Sequence, residues 1–412
     1  MSTSEFRAII QKFAETYLKE AYNKYTLLSD AQSRFQSTQD IYQAAIKEGL
    51  ILAQIPTCEG GTNEGMKYSM IMAEELYAVD PSVTLTILGT GLGLSPLLIF
   101  GTPLQKKQFL EPFLSKQGTP LASFVASEVG GNANWLDPSP TARGVQTFIE
   151  EDEDNHLLLS GEKIWATNSG GWTSRGPDLM CVVCRMKDSN TTPLSSMSIV
   201  IVTRSDIDAN PPNAFTVVND LEMIGHRATS GSHIKFTNLR IPVQNILCKP
   251  GTGAQATEMV FTGSACIVAA FSNGIMRTAF EKALFFAKTE TRNGSHAIIH
   301  YQSVSDILLS IKTKLETSRG LASRAVQLLE SHQLGELAYL AKIYSSESAI
   351  EVVADSMKVV GVDSYRMDFG FGQLMENALV LPIFDGGNVG VRRRQVQKMF
   401  ESDQYDARTL LD

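Results

Sequence analysis

Apolar residues recur every three to four positions in two long stretches, one at each end of the chain. This spacing places the apolar side chains on one face of a helix. In the first stretch, up to about residue 118, it predicts helices over 5–25, 38–48, 65–78 and 103–115. After Pro250 it predicts longer helices over about 253–290, 299–332, 334–360 and 388–401. Short connections between the longer helices favour an antiparallel bundle.

Between these stretches the pattern changes to short runs rich in β-branched and aromatic residues, separated by clusters of glycine, proline and aspartate. The predicted strands cover 122–126, 145–149, 156–159, 179–185, 198–202, 215–218 and 234–241. We interpret the acidic run 150–154 as the solvated loop of a hairpin. Many short strands of this kind indicate a β-sandwich or barrel.

The resulting fold class is α+β with several domains. We expect an N-terminal helical domain over 1–118, a central β domain over 119–249 and a C-terminal helical bundle over 250–412. The length agrees, because 412 residues exceed what a single hydrophobic core usually organises.

One uncharged segment, Pro81 to Leu104, is long enough to span a membrane. It also contains six potential helix breakers: Gly89, Gly91, Gly93, Pro96, Gly101 and Pro103. We therefore expect a buried, broken helix and no membrane partner.

The charge and the cysteine content limit the partners and the cellular location that can be expected. The chain has 36 basic and 44 acidic residues and a net charge of −8, which disfavours nucleic acid as a partner. Its five cysteines are scattered along the chain, so no disulfide framework is expected. A reducing compartment, the cytoplasm, is the expected location.

Several short motifs match known binding sites in part, but the surrounding sequence does not support those sites. Gly89-Thr-Gly-Leu-Gly93 lacks both the third glycine and the preceding strand of a dinucleotide loop. Cys181-Val-Val-Cys184 has zinc or redox spacing, but it lies in an apolar strand where positions three apart face opposite sides. We expect buried strand cysteines there. No histidine pattern suits a metal, and no hydrolase elbow or P-loop is present, so no metal site is predicted.

One carboxylate near the C-terminus stands out. Asp385 precedes Gly386 and Gly387, and Arg392 follows seven residues later. In a helix this separation is two turns, about 10.5 Å of rise, which puts both side chains on one face. Taken alone, the simpler interpretation is that Asp385 caps a helix.

Other segments change that interpretation. Trp165-Ala-Thr-Asn168 after Gly161-Glu-Lys163, the segment Gly225–Ser230, and Arg292 ahead of Gln302 resemble the acyl-CoA dehydrogenase superfamily. That resemblance implies a helical domain, a β domain and a four-helix bundle enclosing FAD. It also implies that the residue before the glycine turn, here Asp385, is the catalytic base. Ordinary members carry Glu-Gly-Thr at this turn, so Asp-Gly-Gly is a departure.

The run from Leu381 to Gln397, together with Asn132-Ala-Asn-Trp135 and Asn168-Ser-Gly-Gly-Trp172, is similar to the fungal nitroalkane oxidases, and the likeness extends nearly end to end. It implies oxidation of neutral primary or secondary nitroalkanes to aldehydes or ketones, with release of nitrite and hydrogen peroxide. Asp385 would remove the α-proton, and the carbanion would add to flavin N5. Arg392 would be the positive neighbour of the base, and Ser264 would hydrogen-bond near the base and N5.

The resemblance also implies the cofactor contacts. Trp165 and Thr167 would meet the flavin ring, with Phe124, Ser127 and Ser169 on flanking segments. Arg292 and Gln302 would reach the pyrophosphate and adenosine of a neighbouring subunit, so the active form would be a homotetramer. Gly361, Gly386 and Gly387 complete the expected set. The segment Lys358-Val-Val-Gly361 lacks the glutamine of the dehydrogenase pattern.

Three alternatives stay open from the sequence. The same fold and base could act on an acyl-CoA, with a hydride passing to FAD. A superfamily relative could bind DNA through the bundle, although the net charge of −8 opposes this. The chain could also be a scaffold with a vestigial site.

Overall fold

The computed structural model describes residues 1–187, 191–331 and 335–408. By its internal contacts the chain divides into two compact units, Met1–Val260 and Phe261–Asp412. The predicted domains 1–118 and 119–249 both fall within the first unit, and their boundaries stay predictions.

The first unit begins with helices. A capping box of Ser2 and Glu5 starts the first, and a second of Thr102 and Gln105 starts the seventh. The predicted helix 5–25 is interrupted by the π-helical turn Ala14–Leu18. The eight helices of this part are α1 (Thr3–Phe13), α2 (Ala21–Tyr25), α3 (Ala31–Gln36), α4 (Gln39–Lys47), α5 (Met66–Tyr77), α6 (Pro81–Phe100), α7 (Pro103–Phe109) and α8 (Glu111–Leu114).

Helix α6 is continuous, so the expectation of a broken helix is wrong. Asp80 caps its start, Pro81 occupies the first turn, and Pro96 lies within it. Its glycines serve packing, because a Cβ on Gly93 would lie 2.3 Å from the backbone nitrogen of Ser123. The Gly89-Thr-Gly-Leu-Gly93 run therefore lies inside a helix that packs closely on the neighbouring strand, as expected for a failed dinucleotide motif.

The strands are β1 (Ala122–Val125), β2 (Phe148–Asp152), β3 (His156–Lys163), β4 (Leu179–Met186), β5 (Met197–Thr203), β6 (Phe215–Asn219), β7 (His233–Pro242) and β8 (Ile246–Cys248); the short helix α9 (Arg204–Asp208) follows β5. Within the described residues they form one mixed sheet in the order β6-β7-β3-β2-β4-β5-β8. Strand β1 pairs in parallel with the first half of β4, while β2 pairs in parallel with its end.

The sheet curls around a single core. Leu157 and Leu159 of β3, Phe215 of β6 and Val200 of β5 belong to the same buried cluster, although they come from distant parts of the sheet. This arrangement agrees with the predicted sandwich or barrel. Cys184 joins the cluster, whereas Cys181 is buried outside it, as expected for positions three apart on a strand.

The acidic run 150–154 is only partly a loop. Strand β2 continues to Asp152, which pairs with His156, and the turn is confined to 153–155. Lys187 donates to Glu150 at 2.8 Å and Arg240 to Asp152 at 2.9 Å. These cations let an acidic segment pair as a strand, which the charge pattern alone did not suggest.

The C-terminal helices form the expected bundle. They are α10 (Gly253–Thr289), α11 (Gln302–Glu330), α12 (Glu336–Val360), α13 (Phe371–Val380) and α14 (Arg393–Phe400). Ser318 of α11 donates its hydroxyl hydrogen to Asn273 of α10, and its oxygen lies 2.6 Å from the hydroxyl oxygen of Ser345 of α12, so a buried hydroxyl ties three helices together. The predicted helix ends at 332 and 334 lie outside the described residues.

Among the residues that the structure describes, two helices are long and apolar enough to cross a membrane by length and composition. They are α6 and α10, and 67% of the apolar window of each is buried inside the structure. Such burial is typical of the core helices of a folded domain.

Candidate active site

Asp385 lies in a tight turn between α13 and the π-helical segment Asn388–Arg392. Its φ of 54° is in the left-handed region, which aspartate tolerates better than most residues. Gly386 follows with a φ of 68°. A Cβ there would lie 3.3 Å from the guanidinium carbon of Arg392, so this glycine gives the arginine room to approach. The Asp-Gly-Gly sequence is therefore what the turn needs.

The carboxylate of Asp385 is held from two sides. Ser264 of α10 donates its hydroxyl to Oδ1 at 2.7 Å, and Nη2 of Arg392 donates to Oδ2 at 3.2 Å. The side chain of Asp385 is 5% exposed and that of Arg392 is 0% exposed. The helix-capping interpretation is wrong, because no side chain caps the segment Asn388–Arg392 and both carboxylate oxygens have other partners.

Arg392 also positions the backbone around the carboxylate. Its Nη2 donates to the carbonyl of Asp385 at 2.9 Å and to that of Phe261 at 2.7 Å. Nη1 donates to Gln395 at 3.2 Å, and the ring of Tyr339 lies 5.2 Å from the guanidinium carbon. Its Nε is buried without a partner in the structure. The guanidinium is thus rigidly placed, and its Nε–H is a buried donor that these bonds do not use.

A buried lysine, Lys342 of α12, supports the same turn. Its Nζ donates to the carbonyl of Phe384 at 2.8 Å and to Oδ1 of Asn388 at 3.0 Å. Burial lowers the pKa of Lys342 to about 7; the negative charge of Asp385 opposes this shift, and Arg392 adds to it. Asn388 in turn donates to Ser346 at 3.0 Å and to Glu347 at 3.1 Å.

A cysteine on α10, Cys266, has a neutral thiol. Cys266 is fully buried, and its burial raises the pKa of the thiol to about 12, although Arg392 partly offsets this. The thiol therefore stays neutral and is a poor nucleophile.

Four of the predicted flavin contacts lie on adjoining segments of the first unit. The amide of Ile164 donates to the carbonyl of Ser127 at 3.1 Å, which joins the segment before Trp165 to the end of β1. Ser123 donates to the carbonyl of Thr167 at 2.6 Å, next to Phe124. Thr167 and Ser127 are partly exposed, and Phe124 is buried.

Trp165 itself is open to solvent. The residue is 57% exposed. Its backbone φ of 70° is in the left-handed region. A core role for this indole is therefore excluded within the described structure. A strained backbone that presents a large aromatic surface is typical of a binding site.

The remaining predicted contacts are placed as follows. Ser169 is fully buried and donates to the carbonyl of Ser232 at 3.4 Å. Arg292 donates to Asp363 at 2.7 Å and to the carbonyl of Val360 at 2.6 Å, directly beside Gly361. Gln302 is exposed at the first position of α11. Arg292 and Gly361 are thus neighbours, while Gln302 is not joined to them by any bond described here.

Comparison with known proteins places the chain in a family. The N-terminal domain of acyl-CoA dehydrogenases matches residues 2–117, and the C-terminal domain matches residues 251–400. A nitroalkane oxidase from Fusarium oxysporum is 43% identical, over 98% of this chain and 94% of its own length. One from Podospora anserina is 41% identical, over 97% of this chain and 93% of its own.

Comparison with solved structures gives the same family. An active-site mutant of nitroalkane oxidase crystallised with 1-nitrooctane superposes with a TM-score of 0.96 at 42% identity, covering 100% of this chain and 98% of the other. The chain belongs to the nitroalkane oxidases of the acyl-CoA dehydrogenase family.

Nitroalkane oxidases and their acyl-CoA dehydrogenase relatives are FAD flavoproteins, and the residues present here fit that cofactor. The exposed indole of Trp165 offers a flat apolar surface for an aromatic ring, and the hydroxyl-bearing Thr167 and Ser127 lie on adjoining segments. The guanidinium of Arg292, whose side chain is 40% exposed, suits a phosphate group.

Three further residues, Lys342, Asn388 and Tyr339, were not predicted from the sequence, although each contacts a catalytic candidate or the turn that carries it. A signal for Lys342 was present. Buried residues of α12 recur at Ala338, Ala341, Ser345 and Ala349, and Lys342 falls within this small-residue face. A lysine on a buried helix face requires partners, and the turn of Asp385 provides them.

Proposed function

We propose that this chain oxidises neutral primary and secondary nitroalkanes to aldehydes or ketones, with release of nitrite and hydrogen peroxide. The observation that carries the proposal is the buried carboxylate of Asp385, held between the hydroxyl of Ser264 and the guanidinium of Arg392. The relatives at 43% and 41% identity are nitroalkane oxidases, and this supports the choice of substrate.

Asp385 is proposed to act as the general base. Hydrogen-bond donors and a neighbouring positive charge favour the ionised form of a carboxylate, which is the form that accepts a proton. Ser264 and Arg392 supply both. Because each oxygen of the carboxylate is anchored by a different residue, the base is held in one orientation, which lowers the entropic cost of reaching the transition state.

A nitroalkane suits such a base. Its nitro group accepts the charge left on the α-carbon, so a carboxylate is strong enough to remove the proton. Positioned bases of this kind contribute rate increases of about 100- to 10,000-fold. The positive charge of Arg392, next to the base, also stabilises the negative charge that develops as the carbanion forms.

FAD, when bound, supplies the electron acceptor for the carbanion and passes the electrons on to oxygen. We propose that Trp165, Thr167, Phe124, Ser127 and Ser169 bind the flavin ring, with Gly386 and Gly387 beside the base. We propose further that Arg292, Gln302 and Gly361 bind the pyrophosphate and adenosine of a neighbouring subunit in a homotetramer. The guanidinium of Arg292, on its exposed side chain, would there exchange part of its bonding to Asp363 for phosphate.

Anaerobic mixing of the purified yellow protein with nitroethane or with butyryl-CoA tests the proposal. Nitroethane is expected to bleach the flavin, and admission of air is expected to restore the colour with formation of nitrite and peroxide. Bleaching by butyryl-CoA alone would identify an acyl-CoA dehydrogenase and overturn the proposed substrate. A colourless protein that takes up no FAD would indicate a vestigial site.

A further inference from the structure

Lys342 contacts the chain on both sides of the proposed base. It donates to the carbonyl of Phe384, the residue before Asp385, and to the side chain of Asn388, three residues after it. The turn between these two contacts contains the left-handed residues Asp385 and Gly386. A strained conformation of this kind persists only where its surroundings hold it.

The surroundings of the ammonium are nearly closed. Lys342 is 0% exposed. The charged groups that act on it are Asp385 and Arg392 from the turn and the π-helical segment, and Glu347 from its own helix. Glu347 is shared, because Arg393 of α14 also donates to it at 2.7 Å and 2.8 Å. The thiol of Cys266, on α10, stays neutral.

We propose that Lys342 is a positioning residue for Asp385: it locks the turn that aims the carboxylate and adds a second positive charge to that of Arg392. This inference rests on the proposed function. Arg392 contacts the carboxylate directly, whereas Lys342 acts through the backbone of Phe384 and through the field of its ammonium.

The two roles of Lys342 have different pH dependence. A neutral amine still donates hydrogen bonds, so the turn keeps its anchor when Lys342 loses its proton. The positive charge that Lys342 adds beside Asp385, in contrast, is lost with that proton. Because burial places the pKa of Lys342 at about 7, that change falls within the range in which the enzyme can be assayed.

Lys342→Met and Lys342→Gln in the holoenzyme separate these roles, since glutamine keeps a donor without the charge. We expect Lys342→Met to lower kcat/KM on neutral nitroethane by up to about 100-fold, because a small misplacement of the base is costly. The loss on preformed ethyl nitronate is expected to be much smaller, because that substrate needs no base. For both variants, the acid limb of the kcat/KM profile should move to higher pH.

Lys282→Met is a matched control, because Lys282 is exposed and also donates to a backbone carbonyl, that of Phe369 at 3.1 Å. It should leave both rates and the pH profile unchanged. Equal losses on nitroethane and nitronate in the Lys342 variants, with an unmoved acid limb, would overturn the inference and leave Lys342 a purely structural residue.

A substrate-free measurement separates this inference from the proposed function. Difference infrared spectroscopy of enzyme labelled at its aspartate carboxyls, with Asp385→Asn to assign the band, reports the carboxylate stretch of Asp385 directly. We expect the frequency of this band to shift in both Lys342 variants, because the turn and the local field change. An unchanged band refutes the role of Lys342 even if nitroethane is oxidised. A shifted band in a protein inactive on nitroethane refutes only the substrate.

Discussion

Ser264 donates its hydroxyl hydrogen to Oδ1 of Asp385 over 2.7 Å, although the two residues are 121 positions apart. Helix α10 thereby places a donor on the carboxylate oxygen that Arg392 does not contact. A carboxylate constrained at both oxygens has little freedom to rotate, and this constraint is the basis of the predictions that concern the base.

Replacing Ser264 with alanine removes one of the two constraints. A hydrogen bond to a charged group contributes about 1.5–3 kcal/mol, so we expect kcat/KM on nitroethane to fall by about 10- to 100-fold. Steady-state assays of oxygen uptake measure this. Ser272→Ala is the control, because Ser272 lies buried on the same helix and donates to a carbonyl of that helix, that of Val268. Equal effects of the two substitutions would contradict a specific role for Ser264.

Asp385→Asn replaces the base by a group that accepts no proton, with nearly the same shape. Activity on neutral nitroethane should be abolished, while oxidation of the preformed nitronate should be largely retained. Comparing the two substrates in stopped-flow reduction of the flavin is the decisive measurement. If both rates fall together, Asp385 serves the flavin or the fold and is not the base.

Arg392→Lys keeps a positive charge but loses the planar fork that donates to Asp385, Phe261 and Gln395 together. We expect lower turnover with some activity remaining, and a larger loss in Arg392→Met. The order of kcat/KM among wild type, Arg392→Lys and Arg392→Met tests this. Identical losses in the two variants would show that geometry outweighs charge.

Gly386→Ala should reduce stability as well as activity. A left-handed alanine costs about 1–2 kcal/mol, and the new Cβ would lie 3.3 Å from the guanidinium of Arg392. Denaturant unfolding measures the first effect and nitroethane oxidation the second. Gly320→Ala is a suitable comparison, since nothing lies within 4 Å of a Cβ there on helix α11. That variant should be more stable than wild type by about 1 kcal/mol.

The burial of His226 should make the free energy of unfolding depend on pH. It is buried, and desolvation lowers its pKa from 6.5 to about 4. The unfolded chain therefore binds a proton near pH 6.5, whereas the folded chain resists it until about pH 4. Wild type should lose stability relative to His226→Gln as the pH falls through this window. A difference between their free energies of unfolding that stays constant from pH 7 to pH 4 would contradict the assignment.

Much of the fold followed from periodicity. The α-β-α order, the bundle and most strands were predicted, because burial of one face imposes the spacing of apolar residues. The errors have local causes. Strand β3 was predicted to end at 159, since Ser160, Gly161 and Glu162 break the apolar pattern, yet it continues to Lys163. Lys163 is buried because it donates to Glu128 at 3.0 Å, a partner distant in sequence.

Strand β8 was missed for a different reason. Its three residues, Ile246–Cys248, are too short to show alternation, and pairing with β5 alone makes them a strand. Helix α6 shows the opposite case. Its glycines were interpreted as helix breakers. They are needed because the helix packs closely against β1 and Thr167, where a Cβ would clash.

Within the site, the sequence pointed to Asp385, Ser264 and Arg392 only through resemblance to known enzymes. Spacing alone favoured a helix cap, since it cannot show that α10 passes beside a turn 121 residues later. The turn itself departs from helical geometry, with Asp385 at a φ of 54° and a π-helical segment after it. Helical spacing puts the two side chains on one face but about 10.5 Å apart along the axis, whereas this turn brings Nη2 of Arg392 to 3.2 Å from Oδ2 of Asp385.

The left-handed backbone at position 385 restricts which acid can occupy it. Aspartate and asparagine enter this conformation readily because their short side chains bond nearby polar groups, whereas glutamate gains no such compensation. Exchange of one carboxylic acid for the other at this position would therefore carry a backbone cost of about 1–2 kcal/mol. A change from aspartate to glutamate as the acid is thus favoured when neighbouring residues of the loop change with it and relax this conformation.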